Sequence, residues 1–558
     1  MGRGKRRTSS GSGGAGYPEK RRADAQSADA AERWCTLVLI ISILACYSPT
    51  FWAREGVWDD QLVFDSDEPT NPAAQISNKS ALSGLCNIWL KASEMREIHF
   101  WPMTYTSFWF EYWLHGLHPG LCHASNIALH AANSYLVRRI LAHLDADAWA
   151  AWLASFTFAL HPVNVESVAW IIERKDTLSG LFYLSSLAMN PNMRFASQPG
   201  SDTSRAWQSL LLYILGMLSK TSIVSLPAVI LLVPWAIRGR IKVTEIKRAI
   251  PFFIIGLAMA AFDVSVARKG EPLDFGFTLT ERVLIASRCV VFYLSKLLYP
   301  GTLLVIYPRW NPKEETEIWI LCFIGVVTLL LGLFALRSRI GRLPLASLLY
   351  FGGTLFPVLG FLDYGFMEYS FVAERFQYLA SLGPISCVSV GVGKLAGRYC
   401  RSDKTKWLPI SAVGLGLLAA LATQTHAQSQ IYNSQEEFWS YVVSVNPSAR
   451  SAQLNLANEM NRQKRWAEAI PLFEKALELK PKESKAMVNI AIGLEKLKRY
   501  DEALVHLENL IALEPNNVKA LNGLGNIQSG QGRHEKAEHY FRRVRALDPS
   551  NTVAGMNL

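Results

Sequence analysis

Two adjacent acids, Asp59 and Asp60, follow Trp58 just after the first apolar run, in FWAREGVWDDQLVFDSDEPTN. Asp65, Asp67 and Glu68 come close behind them. Exposed charge is the default in a loop, so a solvated acidic segment is the plain reading. An acid facing a cleft at a membrane surface has a second use. Within hydrogen-bond reach of a hydroxyl it takes the proton as a general base. Asp60, and failing it Asp59, is the expected base. The two carboxylates also suit a hard cation, but no further acid cluster at fixed spacing accompanies them, so metal and cofactor stay unassigned. Two more charged groups stand beside apolar runs: Glu173-Arg174-Lys175-Asp176 and Glu374-Arg375.

The elements that position these groups are membrane helices. The chain has 558 residues, 50% hydrophobic and only 18% charged, too apolar for a soluble protein of this length. Its 17 Trp and 19 Tyr are types that favour the membrane–water interface. The net charge of +11 does not point to nucleic acid, because much of it lies in short clusters between apolar runs. The eight cysteines form no CxxC and no metal-ligand spacing. Cys86 and Cys122 pair only if both face an oxidising compartment, and two free thiols fit equally well.

Residues 1–32, Gly/Ser/Ala-rich and basic, read as a disordered cytoplasmic tail. An uncleaved anchor follows, then apolar runs near 119–137, 148–160, 176–190, 207–219, 221–237, 249–267, 317–336, 343–361, 378–396 and 407–424. The stretch 280–299 holds Glu281, Arg282, Arg288 and Lys296 and is expected to lie on the surface as a helix pair. About eleven crossings then place RGRIKVTEIKR, RSRIGR and GRYCRSDKTK on the cytoplasmic side, as the positive-inside rule asks. The loops 51–118, 161–176, 268–316 and 362–377, with nearly all the polar residues of interest, fall outside. A transporter would place such residues in broken helices at mid-bilayer; here Asp263 and Lys220 are the exceptions, near helix ends.

The last third repeats. Pro447, Pro481, Pro515 and Pro549 are each 34 residues apart, and Ala469, Ala503 and Ala537 keep the same period. Phe473, Leu507 and Phe541 follow each Ala by four. This is the tetratricopeptide (TPR) period. Three full repeats cover about 450–551, within a domain of 432–558 after a membrane domain of 33–425. SQEEFWSYVVSVNP reads as a half-repeat cap. The fold class is all-α: a polytopic membrane bundle followed by a TPR solenoid.

WPMTYTSFWFEYWLHGLHPGLCHASNIALHAAN, FALHPVNVESVAWIIERKDTLSGLFYLSSL, ERVLIASRCVVFYLSKLLYPGTLLVIYP and FVAERFQYLASLG resemble stretches of bacterial relatives of the transmembrane and TPR-repeat-containing (TMTC) family. The resemblance spans about 33–551 and implies a GT-C type glycosyltransferase. Such an enzyme carries a sugar, mannose in the eukaryotic members, from a polyprenyl-phosphate donor to a protein outside the cytoplasm, here at a bacterial inner membrane with periplasmic TPRs. The family's YDD motif reads Trp58-Asp59-Asp60, which keeps the aromatic and loses the hydroxyl. On this reading Asp59 or Asp60 is the base, Arg174, Lys175 and Arg375 meet the donor phosphate, and Glu166, His161 and Tyr378 hold sugar or acceptor. The structural alternatives are mutual pairing of Glu173 to Asp176, a Glu374–Arg375 pair, His161 as a helix-end residue and Lys220 as a hairpin anchor. The expected partners are the lipid-linked sugar and a protein bound by the TPRs, with no nucleic acid. A non-enzymatic TPR scaffold and a lipid-linked glycan ligase or transporter are the competing readings.

Overall fold

The computed structural model describes residues 16–65, 72–78, 80–91, 99–193, 202–267, 274–312, 314–401 and 404–549. Asp67, Glu68 and the first 15 residues of the expected tail lie outside them. Among the described residues every regular element is a helix. The first, Gly16–Tyr47, begins inside the segment expected to be disordered and runs unbroken into the first apolar run.

Among the described residues five helices are long and apolar enough to cross a membrane: Asp29–Trp52, Thr221–Arg238, Val243–Val266, Thr316–Leu336 and Trp407–Gln430. Thr316–Leu336 buries only Trp319 and turns Leu321, Ile324 and Leu331 outward, which suits lipid rather than water. The expected count of about eleven also included shorter and more polar runs. One of these, the helix Pro119–His143, sits at the centre of the bundle and carries His123, Asn126, His130, Asn133 and Ser134 fully buried. Asn126, His130, Asn133 and Ser134 bond to neighbours: Asn133 Nδ2 donates to Thr177 O at 2.8 Å, and Ser134 Oγ to His130 O at 2.8 Å. An interior helix of this kind is recognised by its partners, not by its hydropathy.

Residues 280–299 form one continuous helix, Leu279–Leu298, and not a helix pair. Its N-terminus is closed by reciprocal bonds between Thr278 and Glu281. Its charges are satisfied side by side. Arg282 forks onto Asp363 at 3.0 and 2.9 Å, and Arg288 meets Glu315 at 3.0 Å over the rings of Trp310 and Trp319.

Contacts link the loops in two sets. Asn192 Nδ2 donates to Glu245 O at 3.2 Å, the Arg342 guanidinium lies against Gly239, and Trp149 packs on Trp407. The first two join 191–193, 238–248 and 337–342, and the third joins the helix that follows 138–147 to the helix that follows 397–406. The segments 51–65, 161–176, 299–310 and 362–377 meet one another instead, and the solenoid rests on them. Tyr441 Oη donates to Leu303 O at 2.9 Å, Asn446 Nδ2 to Ile306 O at 3.1 Å, and Arg462 pairs with Glu55 at 2.8 Å.

The solenoid pairs Arg450–Arg462 with Trp466–Leu479, Ser484–Lys496 with Tyr500–Leu513, and Val518–Gly530 with His534–Leu547. Ala469, Ala503 and Ala537 are buried where the helices approach closely. Gly525 serves the same end, since a Cβ there would stand 2.5 Å from the Phe541 ring. Gln435–Val445 caps the stack, with Phe438 and Trp439 buried.

Candidate functional site

The segment 161–176 is an interrupted helix. His161 is extended, as a residue before proline must be, and a single turn Pro162–Asn164 leads into Val165–Ala169. Trp170 is again extended, a turn at Ile171–Glu173 follows, and the helix Arg174–Met189 resumes. Broken backbone this deep needs partners from elsewhere. Asn126 Nδ2 donates to the carbonyls of Trp170 and Ile171 at 3.2 Å each. Asp60 takes the amide that is left: Ile172 N donates to Oδ1 at 2.8 Å, while Val57 N donates to Oδ2 at 2.7 Å. Asp60 is therefore a clamp between the first loop and the interrupted helix, and it is 1% exposed. Burial pushes its carboxyl up to about 8 against the pull of the two amides, with Asp59 pushing the same way. Asp59 is half-buried at the same turn.

Trp58 is held in the left-handed region at φ +44°, an unusual state for a bulky residue. Its ring stacks on Trp170 at 5.5 Å and meets Trp439 and Tyr369 edge-on at 5.1 and 5.8 Å. Gln435, from the cap of the solenoid, fixes the backbone. Its Oε1 accepts from Trp58 N at 3.3 Å and from Trp439 Nε1 at 2.9 Å, and its Nε2 donates to Gly56 O at 3.0 Å.

Beneath this turn lies a buried charge network. Arg375 bonds to Glu166 and comes within 3.4 Å of Glu173, with its guanidinium 4.3 Å from the Phe366 ring. Glu173 also meets Lys175 at 2.9 Å and Lys220 at 3.7 Å, and Lys220 bonds to Asp176. Glu374 bonds to Tyr307 and Gln377, not to its neighbour Arg375, because successive residues of a tight turn point apart. Burial raises Glu166 and Glu374 to about 7 each, with repulsion from Glu173 adding to it at Glu166 and repulsion from Glu166 adding to it at Glu374. Burial works on Glu173 too, but Lys175, Lys220 and Arg375 together hold it below the usual carboxylate range.

The structure thus brings together Asp60, Glu166, Lys175 and Arg375, with Asp59 at the edge. It adds Glu173, Asp176, Lys220 and Glu374, whose joint role rests on long-range contacts. Arg174 points elsewhere. It pairs with Glu111 at 2.8 Å, bonds to Asn126 Oδ1 and Cys122 O at 2.9 and 3.0 Å, and lies 4.0 Å over Phe108. The reason is geometric: Arg174 and Lys175 are consecutive in a helix, about 100° apart around its axis. His161 is buried between the Leu297 carbonyl, 3.1 Å from Nε2, and the Val163 amide, as a helix-end residue is. Tyr378 is buried within the bundle, its hydroxyl 2.9 Å from His130 Nδ1 and 3.0 Å from Asn133 Nδ2. Lys220, read from the sequence as a hairpin anchor near a helix end, meets Glu173 and Asp176, and Asn126, Gln435 and Trp439 carry no such signal in the sequence. Among the described residues no three His, Cys, Asp or Glu side chains gather as a metal site. Cys86 is exposed, Cys122 is buried, and neither is in a disulfide.

Tetratricopeptide repeat family models match residues 434–484 and 494–556. Human "Protein O-mannosyl-transferase TMTC4" is 24% identical over 492 residues, covering 76% of this chain and 64% of that protein. Mouse TMTC3 is 20% identical over 80% of this chain and 51% of its own length, and human TMTC1 27% over 68% and 48%. Both carry the same protein O-mannosyl-transferase name. The chain spans about two thirds or less of the length of these relatives. With apolar helices suited to a bilayer, it is a membrane protein and a relative of the TMTC proteins, its tetratricopeptide repeats docked on the loops of a helical bundle.

Proposed function

We propose that this protein transfers a sugar, mannose by the names of its relatives, from a polyprenyl-phosphate donor to a hydroxyl of a protein substrate. The observation that carries the proposal is the assembly of the Asp59–Asp60 turn, the Glu166–Arg375 and Lys175–Glu173–Lys220 groups and the docked solenoid at one end of a membrane bundle. A lipid-linked donor presents its phosphate at such a surface, and a protein acceptor approaches from the solenoid side.

In the proposed step the acceptor oxygen attacks the anomeric carbon while the carbon–oxygen bond to the phosphate breaks. The hydroxyl proton passes to Asp59, and polyprenyl phosphate leaves with the bonding electron pair. Asp59 takes the role of base because it is the more exposed of the pair. Asp60 positions it by tying the turn to Ile172. Lys175, Lys220 and Arg375 are the cations for the leaving phosphate. Each is already paired with an acid, so a bound phosphate exchanges one anionic partner for another rather than entering an uncompensated positive site. The basic clusters of the opposite loops support an extracytoplasmic position for the face that carries these groups.

The test is mass spectrometry of membrane-associated and secreted proteins from cells with and without the gene. The proposal expects hexose-bearing Ser or Thr peptides that vanish on deletion and return with the wild-type chain but not with Asp59→Asn. An unchanged set of glycopeptides in all strains would refute it.

A further inference from the structure

A cavity of about 550 Å³ opens between the solenoid's concave face and the first loop. One wall is Trp58 and Tyr369, directly beside Asp59; the other consists of the first helices of the three repeats. Two side-chain rows run along that wall at the 34-residue period. Lys485 and Lys519 form one row, both exposed, and Asn455 and Asn489 form the other. Lys480 adds a third exposed cation at the rim. The one acid in the wall, Glu483, is already bonded to Arg450 and lies 3.4 Å from Lys480. Asn489 Nδ2 donates to Asn458 Oδ1 at 2.7 Å, which holds the Asn489 amide against the neighbouring repeat.

These rows describe a ligand. An Asn side chain offers a donor and an acceptor, which matches the peptide unit whatever its sequence. The lysines add a choice of charge. Packed helices stand 8–10 Å apart, and an extended chain rises about 3.3 Å per residue. One repeat therefore spans about three residues of an extended peptide. We propose that this groove binds an extended acidic segment of the acceptor protein, with a carboxylate about every third residue, and delivers the adjoining hydroxyl past Trp58 to Asp59. The delivery half rests on the transfer proposed above; the binding half stands without it.

The test uses the full chain in detergent and a fluorescent peptide of about 12 residues, ~40 Å when extended, with Glu at every third position and one Ser. Neutral Gln and basic Lys versions serve as controls, read by fluorescence anisotropy at low and high salt. The acidic peptide should bind at least about tenfold more tightly than the neutral one, and salt should erase the difference. Because Lys485 and Lys519 are exposed, Lys485→Glu with Lys519→Glu should leave folding intact and shift the preference to the basic peptide. Equal binding of acidic and neutral peptides, or an unchanged preference in the double variant, would overturn the proposal. So would binding to anionic lipid vesicles that acidic peptide fails to displace. Peptide binding without any sugar transfer would defeat the transfer reading alone; transfer that ignores acceptor charge would defeat this one alone.

Discussion

Replacing Asp59 and Asp60 separately by Asn should produce two different defects. At position 60 the structural cost dominates. The carboxyl group accepts from Ile172 N and Val57 N through different oxygens, at 2.8 and 2.7 Å, in a place that is 1% exposed. Asn keeps one acceptor and turns an NH₂ donor toward the second amide. One buried N–H then loses its partner, at about 1–3 kcal/mol, and the turn that carries Asp59 loosens. Asp59 is half-buried and Asn keeps its size and shape, so Asp59→Asn should cost clearly less stability than Asp60→Asn. Its catalytic cost is that of a general base, about 100- to 10,000-fold, or roughly 3–5 kcal/mol of barrier. The assay is transfer of radiolabelled mannose from polyprenyl-phosphate mannose to an acceptor protein, beside thermal unfolding of the same detergent-solubilised samples. Asp59→Asn should lose transfer with the smaller fall in Tm; Asp60→Asn should lose both. Near-normal transfer by Asp59→Asn would refute the assignment of the base. A Tm loss in Asp59→Asn as large as that in Asp60→Asn would refute the division of labour.

Arg174→Met should strand the buried carboxylate of Glu111 and destabilise the protein by about 3–5 kcal/mol. At temperatures where the variant stays folded its KM for the donor should be unchanged, and a KM raised tenfold would return Arg174 to the phosphate site. Gly56→Ala should place a Cβ 2.5 Å from Asp60 Cβ and 2.8 Å from the Phe64 ring, costing about 1–3 kcal/mol and most of the transfer, as Tm and turnover would show. Tm should fall as pH rises from about 5 to 8. Asp60, Glu166 and Glu374 have folded values of about 8, 7 and 7, raised above their ordinary 3.8, 4.5 and 4.5. Their stabilising neutral forms are full below the ordinary values and are lost through the raised ones; a Tm that climbs across this window would contradict it. Glu173, held low, gives the opposite slope, but only below about pH 4.5. Single cysteines at Lys475 and Arg240, in a background with Cys86→Ser, should react differently with an impermeant thiol reagent applied from outside. Lys475→Cys should label and Arg240→Cys should not, and the reverse would invert the orientation.

The sequence by itself determined the solenoid, because its information is local and repeated. Ala469, Ala503 and Ala537, with the prolines between them, state the helix pairs and their close approach without any distant partner. It also determined that the chain is helical and apolar enough for a membrane, and it singled out Asp59 and Asp60 together with most of the charged residues that surround Asp60. It did not determine how those charges pair. Glu374 and Arg375 are neighbours in the chain and bond to different partners, Tyr307 and Glu166. Arg174 and Lys175 are neighbours and serve different sides of a helix, one locked to Glu111 and the other facing Glu173. The charges of 280–299 point to a surface helix pair, yet Asp363 and Glu315 arrive from elsewhere to satisfy Arg282 and Arg288 along one continuous helix. Buried charge is stable only with a partner at hydrogen-bond distance. Here the partners lie up to 209 residues away, as Glu166 does from Arg375. Composition and spacing reach across a helical turn or a repeat, whereas only tertiary folding selects which of many acids meets which base.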